Sequence, residues 1–94
     1  MLNTTNIIEL VDTDWNLKLY PNPATDLIHV QLTGITLNNK LLISIMDAKG
    51  KLVFQKEIDS SYEISIPLNR LTKGNYQLII QQNNKIDHKS FLKH

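Results

Sequence analysis

Leu19-Tyr20-Pro21-Asn22-Pro23-Ala24-Thr25-Asp26 lies between two runs of alternating apolar and polar residues and holds two of the chain's three prolines. Each proline fixes its own φ and lacks an N–H to donate. Each also drives the residue before it, Tyr20 or Asn22, toward extended geometry. The octapeptide therefore reads as a stiff, extended corner that neither a helix nor a central strand would contain. On its N-terminal side Trp15, Leu17 and Leu19 alternate with Asn16 and Lys18; on its C-terminal side Ile28, Val30 and Leu32 alternate with Leu27, His29 and Gln31. Period-2 alternation marks a half-buried strand, so the corner joins two strands.

The same two signals, alternation and turn chemistry, continue along the chain. Gly34 and the Asn38-Asn39 pair mark a loop, after which Leu41, Ile43 and Ile45 line one face of a strand. Asp47-Ala48-Lys49-Gly50 has Asp first and Gly last, as a type I turn prefers, and Lys51–Ile58 reads as a strand, so the two runs form a hairpin. Asp59-Ser60-Ser61 is a turn before Tyr62, Ile64 and Ile66, and Pro67 stops that strand. A crossing loop anchored by Leu68 and Leu71 leads to Tyr76, Leu78 and Ile80; Asn83-Asn84 turns the chain into a last strand, Lys85–Lys93. About seven short strands, with turn signals every 8–12 residues or so, predict an all-β fold: a small immunoglobulin-like β-sandwich of antiparallel strands. Ninety-four residues suit one domain. It is expected over residues 15–94, with residues 1–14 a linker or an edge strand from a preceding domain.

Composition narrows function mainly by exclusion. A net charge of +1 and a pI near 8.0 give no field that would hold nucleic acid. With no cysteine there is no disulfide framework and no thiolate metal site. No run of about 18 apolar residues exists to span a membrane, and Met1 is not followed by the basic and apolar regions of a secretory leader. His29, His88 and His94 are too far apart in sequence for a metal motif; His29 and His88 fall on strand positions that could meet across a sheet, but they read as two separate strand residues, exposed or half-buried. Asp12, Asp14, Asp26 and Asp59 lack the spacing of a calcium loop. No Gly-x-Ser-x-Gly elbow or glycine-rich phosphate loop is present. The expectation is a protein without catalytic residues, cofactor or metal. Trp15 and Tyr62 are read as core residues. If they were exposed, a carbohydrate- or protein-binding β-sandwich module would be the alternative reading. The lysines, spread among acids, read as surface solvation.

Four blocks in order carry a more specific signal: Leu19-Tyr20-Pro21-Asn22-Pro23, Ile45-Met46-Asp47-Ala48-Lys49-Gly50-Lys51-Leu52-Val53, Leu71-Thr72-Lys73-Gly74-Asn75-Tyr76-Gln77-Leu78, and a lysine-bearing last strand ending Phe91-Leu92-Lys93-His94. From about Leu17 to His94 the chain resembles the C-terminal sorting domain of the type IX secretion system (the type A family of the Por secretion system). That resemblance implies a delivery signal at the end of an exported protein of Bacteroidota. Its expected partners are the outer-membrane secretion machinery, a sortase-like surface peptidase that removes the domain and joins the cargo to an anionic lipopolysaccharide, and an N-terminal cargo domain. The resemblance carries Pro21, Asn22 and Pro23 as recognised residues of the first block, Asp47 and Gly50 of the second, Gly74 and Tyr76 of the third, and Lys89 and Lys93 of the last strand. Asn75 departs from the apolar residue common between the Gly and the Tyr. Gly50 and Gly74 equally suit turns needing positive φ, and Tyr76 suits the core. Lys89 and Lys93 are the expected contact residues, because an exposed terminal strand is where a partner adds a strand or pairs charge. The same edge would admit a homodimer.

Overall fold

Alternation along the chain is realised as seven strands, which the computed structural model describes over residues 15–94. They are β1 (Asn16–Tyr20), β2 (Leu27–Thr33), β3 (Lys40–Asp47), β4 (Leu52–Asp59), β5 (Glu63–Pro67), β6 (Gly74–Gln82) and β7 (Lys85–Lys93). No helix occurs among the described residues. A three-stranded sheet in the order β1-β2-β5 faces a four-stranded sheet in the order β4-β3-β6-β7, every neighbouring pair antiparallel. The expected all-β sandwich is what the chain forms. Residues 1–14, with Asp12 and Asp14 as oxygen donors and the linker assigned there, lie outside the described residues.

The core takes one face of each sheet. Leu17, Ile28, Val30 and Leu32 from one side meet Leu41, Ile43, Ile45, Leu78 and Ile80 from the other, all at most 1% exposed. Each such side chain contributes about 1.5–3 kcal/mol on burial, against about 1 kcal/mol net for a hydrogen bond. Apolar packing therefore sets stability, and the polar pairs set geometry. Leu68 is fully buried and Leu71 packs on the core, so both anchors of the β5–β6 loop hold as read. Trp15 is buried just ahead of β1, but Tyr62 is 49% exposed. The alternation through Tyr62 fails because β5 begins at Glu63; Tyr62 lies in the bend before it, where its carbonyl accepts the Leu32 N–H at 2.8 Å.

Turn chemistry places the ends of the sheets. The Gly50 N–H donates to the Asp47 carbonyl at 3.0 Å with Gly50 at φ +85°, closing the β3–β4 hairpin. Ile45 pairs with Phe54 and Met46 with Leu52, leaving Val53 as the extra residue of a bulge. Asn83, at φ +55°, turns β6 into β7. At the corner, the Tyr20–Pro21 and Asn22–Pro23 peptide bonds are both cis, where an extended corner was expected. Buried Gln82 does what no sequence pattern indicated. Its Oε1 accepts the Thr36 N–H at 2.9 Å while its Nε2 donates to the Thr36 carbonyl at 2.7 Å, tying the β2–β3 loop to the end of β6.

Candidate functional site

Strand register brings the four sequence blocks to one end of the sandwich. Asp47 at the end of β3 is opposite Tyr76 near the start of β6, and Tyr76 is opposite Phe91 in β7, so the three residues form a row across the sheet. Two pairs beyond, Gly74 is opposite Lys93. The corner joins this row from the other sheet: Ala24 forms a parallel bridge with Lys93, its N–H donating to the Leu92 carbonyl and its own carbonyl accepting the His94 N–H, both at 2.8 Å. The Asn22 side chain completes the contact, its Oδ1 accepting the Leu92 N–H at 3.0 Å. The Pro21–Pro23 corner thus covers the outer edge of the last residues of β7. Trp15 is at the opposite end, since β1 runs from Asn16, opposite Thr33, to Tyr20, opposite His29, before entering the corner.

The side chains at this end are held mostly by backbone groups. Asp47 Oδ1 accepts the N–H groups of Lys49 and Lys51, each at 2.9 Å. The Lys51 amide is the larger of the causes that hold the Asp47 carboxyl below the usual carboxylate range. Tyr76 is buried, stacks on Phe91 with ring centroids 5.6 Å apart, and donates its hydroxyl to the Thr72 carbonyl at 2.6 Å. This bond to backbone four residues upstream is the tyrosine corner of immunoglobulin-like sandwiches. Gly50 and Gly74 have φ +85° and +153°, and a Cβ on either would meet nothing within 4 Å. Their requirement is conformational. Lys93 is half-buried, its Nζ 3.3 Å from the His94 carbonyl.

Lys89 does not join the others. It is opposite Leu78 in β7, below the Asp47–Tyr76–Phe91 row, and is exposed. The remaining candidates are scattered as well. His29 bonds Ser65 at 2.9 Å on the three-stranded sheet, while His88 bonds Gln77 on the other, so the two histidines stand apart as separate strand residues. Asp59 pairs with Lys40 at 2.6 Å, which lowers the Asp59 carboxyl and raises the Lys40 ammonium from their ordinary values. No group of three or more metal-ligating side chains occurs among the described residues. Among the described residues no strand pairs with the outer edge of β7 from Ile86 to Ser90, where the His88 N–H donates to the Asp87 carboxylate at 2.8 Å.

Between the Asp47–Lys51 turn and the Arg70–Tyr76 segment runs an open groove of about 680 Å³. Lys49, Lys51, Arg70 and Lys73 all line it. Sequence reading took the lysines as solvation and passed over Arg70, because these cations are spread over 25 positions and meet only through the pairing of β3 with β4 and β6. Their position beside the second and third blocks was the available signal.

Comparison with known proteins bears on the fold and the family. The structure resembles, with TM-score 0.66 and 21% identity over 83% of each chain, the crystal structure of a DUF3244-family protein with an immunoglobulin-like β-sandwich fold from Bacteroides vulgatus. That likeness establishes the fold. No curated protein matches the chain. The family model described as "Secretion system C-terminal sorting domain" matches residues 18–94, from β1 through the corner, the hairpin and β6 to the end of β7. The chain belongs to that family, the C-terminal sorting domains of type IX secretion.

Proposed function

We propose that residues 15–94 are the sorting domain and residues 1–14 the linker to an N-terminal cargo, and that the end of the sandwich holding the four blocks is the one presented to the outer-membrane machinery. Membership of the family supports a sorting signal for type IX secretion, which carries an attached protein to the cell surface or beyond. The observation that carries the finer reading is the polarity of the fold. Trp15, where the cargo side enters, and the Pro21–Pro23, Asp47–Gly50, Gly74–Tyr76 and Lys93 cluster occupy opposite ends. A bulky cargo at one end leaves the other accessible. In this reading Asn22, Asp47, Gly50, Gly74 and Tyr76 build the surface, while Lys93 and, further along β7, Lys89 touch the partner. A sortase-like peptidase then cuts ahead of Trp15. The domain is substrate and label and performs no catalysis. Of the two residues behind the binding-module alternative, Trp15 is buried at 9% exposure, and Tyr62, at 49%, is the one left to carry it.

The test fuses residues 1–94 behind a periplasmic reporter in a host carrying the system. Export with loss of the domain's mass is expected, and Lys93→Ala lowers export while the melting temperature stays unchanged. A reporter retained in the periplasm, where a known sorting domain exports it, would overturn the proposal.

A further inference from the structure

We infer that the groove between the Asp47–Lys51 turn and the Arg70–Gly74 loop is a binding site for an acidic polypeptide segment of a partner protein, bound extended along the margin of β4. The first support is charge. Lys49, Lys51, Arg70 and Lys73 are exposed around a single carboxylate, Asp47, in a chain whose net charge is only +1, so the rest of the molecule is net negative. The Asp47 carboxylate is turned onto the Lys49 and Lys51 amides. Among the described residues the only ion pair is Lys40–Asp59, well away from the groove. Gathering like charges without acidic partners costs free energy that a bound anion recovers.

The second support is the neighbouring surface. An apolar recess of about 330 Å³, lined in part by Val53, Phe54 and Leu71, adjoins the groove and shares Val53, Arg70 and Leu71 with it. Leu52, 44% exposed, stands beside it. Cations next to a recess sized for a side chain fit a ligand carrying both carboxylates and an apolar group.

The third support separates a peptide from other anions. β4 is the outer strand of its sheet, and an outer strand directs half of its backbone N–H and C=O groups away from its neighbour. An extended peptide can add to such an edge, its main chain supplying affinity and alternate side chains filling pockets. A phosphorylated glycan or lipid headgroup satisfies the cations but leaves those backbone groups to water. Arg70 adds a planar fork suited to a carboxylate.

The inference rests on the sorting reading for what the partner belongs to, and its test does not involve export. The 94-residue chain is titrated against a fluorescein-labelled octapeptide alternating glutamate with leucine, against the same peptide with glutamine in place of glutamate, and against phosphatidylglycerol vesicles. Saturable binding of the acidic peptide is expected, weakening as salt rises. Amide shift changes are expected to centre on Lys49, Val53 and Gly74. The double variant Arg70→Gln/Lys73→Gln is expected to weaken binding about tenfold or more, whereas Lys18→Gln, exposed on β1 of the other sheet, leaves it unchanged. Lack of binding, equal loss with Lys18→Gln, shifts centred elsewhere, preference for the vesicles, or a concentration-dependent dimer abolished by the groove variants would each overturn the assignment. Failed binding with intact export removes the groove site and leaves the sorting function. Failed export with intact binding does the reverse.

Discussion

Asp47 does at the scale of one residue what the hairpin needs from its turn. With its Oδ1 accepting both the Lys49 and Lys51 amides, the carboxylate satisfies donors that the tight turn leaves outside the ladder. Those hydrogen bonds favour the charged form, so the folded carboxyl titrates below the unfolded value of about 3.9. A depressed carboxyl contributes stability above its unfolded pKa, and that contribution is lost as pH falls through the folded value. The hairpin is therefore expected to loosen only in strong acid. An NMR titration should give Asp47 a midpoint below the ordinary aspartate range, with the Lys51 amide shifting in step. Asp47→Asn keeps an acceptor oxygen and is expected to hold the turn while removing that acid step; an unshifted Asp47 midpoint would contradict this. Tyr76, by contrast, is anchored on the inside, where its ring and its bond to Thr72 fix the start of β6.

At the scale of elements, two glycines govern how β4 and β6 begin. Gly50 at φ +85° lies in the left-handed region, where a side chain costs about 1–2 kcal/mol. Gly74 at φ +153° lies where other residues are scarcely found, at about 1–3 kcal/mol. Since neither site is crowded, Gly50→Ala and Gly74→Ala are expected to lower stability by these amounts in denaturant melts with the core unchanged. A neutral Gly74→Ala would show that β6 can start in another geometry. Strands and turns of this kind were legible in the sequence because alternation and Gly, Asn or Pro punctuation are local. What was not legible is non-local. The cis bonds at Pro21 and Pro23, the clasp of Gln82 on Thr36, and the outward turn of Tyr62 depend on what lies opposite each segment. The site divides in the same way: its turns and Tyr76 could be read from neighbours in sequence, whereas the meeting of Arg70 with Lys49 required the strand order.

At the scale of the whole molecule, the domain measures 49 × 28 × 20 Å and has its block-bearing end and its Trp15 end apart. That arrangement has a mechanical consequence. If one end is gripped and the cargo pulls from Trp15, tension enters along β1. The five residue pairs joining β1 to β2 then bear load side by side. The Ala24 bridge passes part of that load into β7 without going through a free loop. Bonds sheared together fail at higher force than bonds peeled singly. An optical-trap measurement pulling Trp15 against His94 is expected to give a higher rupture force than one pulling Gly74 against Lys93, which peels the β6–β7 pair from its open end. Equal forces would rule out this load path. A handle with this geometry can be dragged by its freight without coming apart at the hand.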